Sequence, residues 1–154
     1  MPPIISSIID CYVFRRAATT VEFLALRRAS QSRLGGTWQA VHGKIETGEK
    51  AWETALRELR EETGLRPIAF WQLEAVNTFY VAQQDQILMC PGFAAEVDAN
   101  AKVTLCDEHV DYAWWPADEA HTKFMWPGQR TAIAEIVEVI LPRGPAEAHL
   151  RIAI

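Results

Sequence analysis

Long hydrophobic runs are missing from this sequence: nowhere do about 18 apolar residues follow one another, which excludes a membrane-spanning helix. Cysteine is scarce. Cys11, Cys90 and Cys106 form an odd set with no CxxC pair, so neither a disulfide framework nor a cysteine-built zinc or redox centre is expected. Reduced thiols fit a cytoplasmic location best. Positive charge is in deficit: 15 Lys plus Arg against 20 Asp plus Glu leave a formal net charge of −5. No global basic field exists to hold nucleic acid through its phosphates. The stretch MPPIISSIIDCYVFRR has no early basic region, and Ser6, Ser7 and Asp10 interrupt its apolar residues, so it makes a poor secretory leader. The 8 glycines and 8 prolines are scattered, without repeats or low-complexity tracts, and one domain spanning 1–154 is expected. At 49% hydrophobic and 23% charged over 154 residues, the chain has enough apolar material for a buried core.

Ile4 to Phe14 and Val21 to Arg27 have strand composition, with the polar RRAATT between them. Gly35 and Gly36 mark a turn before a short strand from Trp38 to Val41 that ends at Gly43. From Lys50 to Thr63 strong helix formers take over, with Trp52, Ala55, Leu56 and Leu59 at helical spacing. Gly64 and Pro67 mark its end. Ile68 to Val81 and Gln86 to Val97 suggest a long hairpin whose second strand is broken at Pro91-Gly92. A further strand is expected at 109–115, and a second helix at 131–141, where Ile133, Ile136, Val137 and Ile140 share one face. Strands on both sides of a strong helix, with another helix late in the chain, predict an α/β fold with a mixed sheet between helices.

The helix at 50–63 carries the chemistry. At about 100° per residue, Glu58, Glu61 and Glu62 fall within one arc of the helix surface. Trp52, Leu56 and Leu59 occupy the adjacent side, so the acidic cluster borders the buried stripe rather than facing open water. Like charges at this spacing repel. Arg57, with Glu53 and Glu61 one turn away and Glu49 near the helix start, offsets part of that repulsion. A hard divalent cation offsets the rest, because carboxylate oxygens suit Mg2+ or Mn2+. A solvated charged face is the bland alternative, and it leaves the wider pattern unexplained. Gly43, Glu49, Arg57, Glu58, Leu59, Glu61, Glu62, Gly64 and Leu65 fill every position of G-x5-E-x7-R-E-U-x-E-E-x-G-U, with U a bulky aliphatic. From average residue usage, chance produces that match in a chain of this length with a probability on the order of 10⁻⁷.

This segment, 43–65, resembles the Nudix box, the signature of hydrolases acting on nucleoside diphosphates linked to another group. The resemblance implies an α/β/α sandwich with a loop-helix-loop catalytic motif. It makes Glu58, Glu61 and Glu62 metal ligands and Arg57 and Glu49 their orienting partners, with a backbone carbonyl at His42 or Gly43 completing the metal shell. WQAVHGKIETGE, EHVDYAWW and WPGQRTAIAEIVEVI, within residues 38–140, are similar in order and spacing to the branch of dihydroneopterin triphosphate pyrophosphatases, also labelled dATP pyrophosphohydrolases. By that resemblance Glu108 is a fourth carboxylate, a metal ligand or general base, and Arg28 contacts phosphate with its forked guanidinium. His42 stands where that branch carries a small hydroxyl residue near the substrate.

The implied reaction is magnesium-dependent release of pyrophosphate from dihydroneopterin triphosphate or dATP, a step of folate synthesis in the first case. Either Glu108 or Glu58 is the base. Among 6 tryptophans, Trp126, with Phe124, is favoured for stacking the flat ring. His109 is assigned no role. Oxidised nucleotides, diadenosine polyphosphates and ADP-ribose are the other substrates of such a box, and a binding module without turnover is the competing class, although none of the box carboxylates is missing. The expected partner is a small polyphosphate, with no nucleic acid or membrane, and a homodimer is expected from the frequency of two-fold assemblies.

Overall fold

A computed structural model describes residues 1–154. Its centre is an 8-stranded mixed sheet. Strands β1 (Ile4–Ile5), β2 (Ile8–Arg16), β3 (Val21–Arg28), β4 (Trp38–Gln39) and β5 (Val41–Lys44) precede helix α1 (Ala51–Thr63), and β6 (Ala69–Val81), β7 (Gln86–Val97) and β8 (His109–Pro116) follow it. The chain then forms α2 (Ala117–Lys123), α3 (Pro127–Glu135), continued by a π-helical turn at Ile136–Ile140, and α4 (Pro145–Leu150). No helix is long and apolar enough to cross a membrane.

Strand β2 is the hub. It runs parallel to β7 from Asp10 to Arg15, while its first half pairs antiparallel with β5 and its last residues with β3. Both of its faces are covered, which is why IIDCYV reads as an almost unbroken apolar run rather than an alternation. Ile9, Cys11 and Val13 meet Ala55 and Leu59 of α1 on one side. Tyr12 and Phe14 meet Trp71, Trp115, Phe124, Ile133 and Ile136 on the other. The α/β/α layering follows directly, one helical layer burying each face of the sheet.

Several boundaries differ from the sequence reading. The expected first strand is two, interrupted at Ser6-Ser7, and β1 joins β7 rather than continuing β2. The strand expected at Trp38 to Val41 also divides at Ala40, because β4 pairs with β3 whereas β5 crosses to β2. Pro91-Gly92 does not break β7. At that point β7 changes its inner neighbour from β1 to β2 and β6 bulges opposite it, between Gln72 and Val76, an irregularity that tolerates a residue without an N–H. The late helix begins at Pro127 rather than Thr131, using proline in its first turn. The unanticipated α2 and α4, at 7 and 6 residues, are too short to show an apolar period.

Candidate active site

Helix α1 is built to end where the acids are needed. Lys50 donates its backbone N–H to the Glu53 carboxylate at 2.9 Å, closing the first turn. At the other end Gly64 takes the left-handed conformation, φ 71°, and returns its N–H to the Arg60 carbonyl at 2.8 Å. Ala55 and Leu59 anchor the helix in the core. This places Glu58 over β5, directly above Gly43, where a β-carbon would overlap the Glu58 side chain. The glycine is required by close approach.

Arg57 organises the loop and the acids together. Its Nε and Nη2 donate to the two carboxylate oxygens of Glu49 at 2.8 and 3.0 Å, and Nη2 also donates to the Lys44 carbonyl at 3.1 Å. Nη1 donates to Glu58 at 2.8 Å and to Glu61 at 3.2 Å. The paired guanidinium, with the Thr54 hydroxyl, holds the Glu49 carboxyl down at about 2. Lysine, a point charge without the planar fork, cannot make this set of bonds.

Glu62 differs from its neighbours. It is 3% exposed, and its Oε2 is buried with no hydrogen-bond partner. Burial first, then the charges of Glu58 and Glu108, push its carboxyl up to about 9, although the backbone of His42 and the charge of Arg28 oppose the shift. Burial likewise raises Glu58, against the pull of Arg57 and with that of Glu61 and Glu108 behind it. Glu108, on the turn before β8, adds its charge to the upward push on both Glu58 and Glu62. Its backbone carbonyl is held by the Ala29 N–H at 3.0 Å. Arg28, at the end of β3, donates from Nη1 to Gln39 at 3.3 Å, and its Nε is buried without a partner.

The side chains as they stand do not enclose a ready-made coordination shell, because Glu58 and Glu61 are turned onto Arg57. The donor set nevertheless fits a hard divalent cation: carboxylate oxygens only, more negative charge than Arg57 balances, and an orphaned buried oxygen on Glu62. Binding there requires Glu62 ionised. Its folded value of about 9 against an ordinary 4.5 means that the folded state keeps a proton the unfolded state has released. Stability of the metal-free protein therefore falls as pH rises from about 4.5 to about 9. A glutamine at position 62 does not titrate, so the metal-free melting temperature of Glu62→Gln minus that of the native protein should grow across this window. A difference that stays flat would contradict the burial argument.

The structure thus brings Gly43, Glu49, Arg57, Glu58, Glu61, Glu62, Glu108 and Arg28 around α1, from Glu49 before its first turn to Glu62 in its last. The His42 side chain and Trp126 lie elsewhere, although the His42 backbone reaches Glu62. Successive residues of a strand face opposite ways, so His42 turns away from α1 and sets its Nδ1 2.8 Å from Oδ1 of Asp10. Trp126 stands half exposed at the start of α3. Phe124, paired with it in the sequence reading, is 1% exposed and packs edge-on to Trp115 and Tyr12. It is a core residue, closed to any ligand. The sequence reading missed Gln39, which joins Arg28 to a buried His109 whose Nε2 lies 3.1 Å away. It also passed over Asp10, whose signal was a lone acid inside an apolar strand.

The model of the NUDIX domain matches residues 7–136. This chain belongs to the Nudix family. It is a hydrolase of that family, whose members generally use a divalent metal such as Mg2+. A Nudix relative, the asymmetrical bis(5'-nucleosyl)-tetraphosphatase of Mus musculus, is 35% identical over 107 residues, covering 66% of this chain and 69% of that protein. An octanoyltransferase of Myxococcus xanthus is 31% identical over 134 residues, but the 86% of this chain that matches spans only 36% of that protein. The solved dihydroneopterin triphosphate pyrophosphohydrolase of E. coli superposes with a TM-score of 0.70 at 22% identity, covering 88% of this Nudix chain and 95% of that one. At that identity the match shows the shared Nudix fold. The activities named among these proteins differ: a tetraphosphatase, an octanoyltransferase and a pyrophosphohydrolase.

Proposed function

We propose that the chain, folded as one unit over 1–154, hydrolyses a phosphoanhydride of a nucleoside triphosphate-like substrate, dihydroneopterin triphosphate or dATP, to monophosphate and pyrophosphate. The observation that carries this reading is the buried, unpartnered Glu62 oxygen inside a set of carboxylates that a single arginine cannot neutralise. Glu58, Glu61, Glu62 and Glu108 would hold Mg2+ or Mn2+. Bound there, the cation supplies positive charge for phosphate oxygens and lowers the pKa of water. The rest falls to the protein. Arg57 and Glu49 fix the acids, Arg28 donates to a phosphate, and Glu108 or Glu58 takes a proton from the attacking water.

A dinucleoside polyphosphate is the second reading, favoured by the 35% identity to the mouse tetraphosphatase. The deciding experiment is product analysis over dihydroneopterin triphosphate, dATP and diadenosine tetraphosphate, with and without Mg2+. Metal-dependent appearance of pyrophosphate with a monophosphate supports the first reading. Two unequal nucleotides from the tetraphosphate alone would favour the second, and binding without any cleavage would refute both.

A further inference from the structure

One residue out of step in β8 brings three polar side chains together near the acids. Across β3 and β8, Leu26 pairs with Tyr112 and Arg27 with Asp111, but Arg28 pairs with His109, so Val110 is left without a partner. Side chains alternate along a strand and share a face with their cross-strand partners. Had the alternation run on, His109 would point with Asp111 and Trp115 away from α1, to the side where Trp115 meets Phe124. The extra residue reverses it. His109 therefore emerges opposite Arg28, on the face where Leu26 joins Ala55 and Leu59 of α1 in one core. Gln39, the β4 partner of Leu26, stands on that same face, diagonally across from Arg28.

Their hydrogen bonds admit one arrangement. A guanidinium has only donors, so the Gln39 side-chain carbonyl accepts from Arg28 Nη1, at 3.3 Å. The Gln39 NH2 group is then left for His109, whose Nε2 lies 3.1 Å away and must accept. An imidazole with a lone pair on Nε2 is neutral and carries its proton on Nδ1, here 3.9 Å from the Cys106 sulfur. At 4% exposure the ring is enclosed. The segment leading to it is tied down as well: Thr104 donates its N–H to the Thr63 carbonyl at 2.8 Å, and Ala29 donates to the Glu108 carbonyl at 3.0 Å. Arg28 is the loose member. The bond to Gln39 is the single hydrogen bond of its side chain, and its Nε is buried with no partner.

We infer that Gln39 and His109 are positioning residues for Arg28: the enclosed imidazole fixes the Gln39 amide, and the amide holds the guanidinium ready to donate to the substrate's phosphate. This rests on the phosphate contact of Arg28 in the proposed function. The benefit is preorganisation. An arginine free to rotate gives up side-chain entropy each time it takes up a phosphate, whereas one already held at Nη1 has less to lose. The held charge is also near the carboxylates, since it acts on Glu62. Only an amide serves as the strut, because glutamate would lack the donor for His109 and lysine the acceptor for Arg28.

Gln39→Leu removes both bonds of the strut. In the Mg2+-loaded protein, calorimetric affinity for imidodiphosphate, a phosphate chain with no ring, should fall on the order of tenfold, the scale of a hydrogen bond to a charged group. The kcat/KM for whichever triphosphate is cleaved should fall alike. Arg28→Ala should lose at least as much, and adding Gln39→Leu to it should cost nothing further, because the effect passes through Arg28. A purely structural role would cost the same in both backgrounds. His109→Leu should reproduce the loss, while His109→Gln, whose side-chain carbonyl can stand where Nε2 does, should restore most of the affinity. Nitrogen NMR of the native ring should place the proton on Nδ1. Should Gln39→Leu fail to fold, the two His109 variants decide. Additive losses, native affinity in Gln39→Leu, equal losses in the two His109 variants, a proton on Nε2, or no imidodiphosphate binding by the native protein would overturn the inference. Triphosphate cleavage with additive losses defeats this inference alone, whereas a non-additive cycle for imidodiphosphate without cleavage of any triphosphate defeats the hydrolase reading alone.

Discussion

Glu62→Gln should leave the protein folded and reduce kcat on the order of 10³-fold, the scale of several kcal/mol of lost charge stabilisation at the phosphates. The two effects separate because the roles of the side chain separate. In the metal-free fold its carboxyl is already driven toward the neutral form by burial and by Glu58 and Glu108, and Oε2 makes no hydrogen bond that a glutamine would forfeit. An amide of nearly the same size therefore fits the site and relieves repulsion. Toward a cation it is a poorer ligand, without charge to contribute. Turnover with Mg2+, Mn2+ affinity by paramagnetic relaxation, and metal-free melting temperature are the three measurements. Native kcat in this variant would remove Glu62 from the mechanism, and a marked fall in metal-free stability would show that its role is structural.

Gly43→Ala should lower kcat by about 10²-fold, the scale expected when a reacting group is misplaced by about 1 Å. Gly43 does not use the left-handed backbone region, so alanine meets no conformational penalty there. The conflict is steric: the new methyl would sit 2.5 Å from Glu58 Oε1 and closer still to the carbons behind it. A Glu58 side chain forced to swing gives up its 2.8 Å bond to Arg57, and with it the alignment that also links Glu49 and Glu61. Since the displaced atoms belong to a flexible side chain, activity should fall much more than melting temperature does. If Gly43→Ala retains native turnover, the close packing of β5 on α1 has no part in positioning Glu58.

How much of this site could be read beforehand depended on how far apart its parts lie in the chain. Glu58, Glu61 and Glu62 are three and four residues apart, and a helix of known pitch converts that spacing into a shared surface. Arg57 was legible for the same reason, whereas Glu49, before the first turn of α1, was named as an orienting partner by the resemblance to the Nudix box. The spacing did not reveal that Arg57 draws Glu58 and Glu61 aside while Glu62 alone is buried, because the packing of α1 on β2 and β5 decides which carboxylate faces inward. Phe124 was misread for a related cause. An aromatic beside Trp126 looks like a platform until α2 turns it under the sheet against Trp115.

The sequence by itself determined the acid-bearing helix, its two ends, the alternation of strands and helices that makes an α/β/α layering, and the family whose signature residues 43–65 carry, since all of these are local in the chain. The resemblance named Glu108 and Arg28, but only the tertiary structure decided that His42 faces Asp10 rather than the box it precedes, that Gln39 joins Arg28 to His109, and that Glu62 alone of the helix acids is buried. These depend on pairings such as Asp10 with His42 and Asp10 with Gly92. Strand register over such separations follows from the burial of whole faces, a property of the assembled sheet that no short window of residues contains.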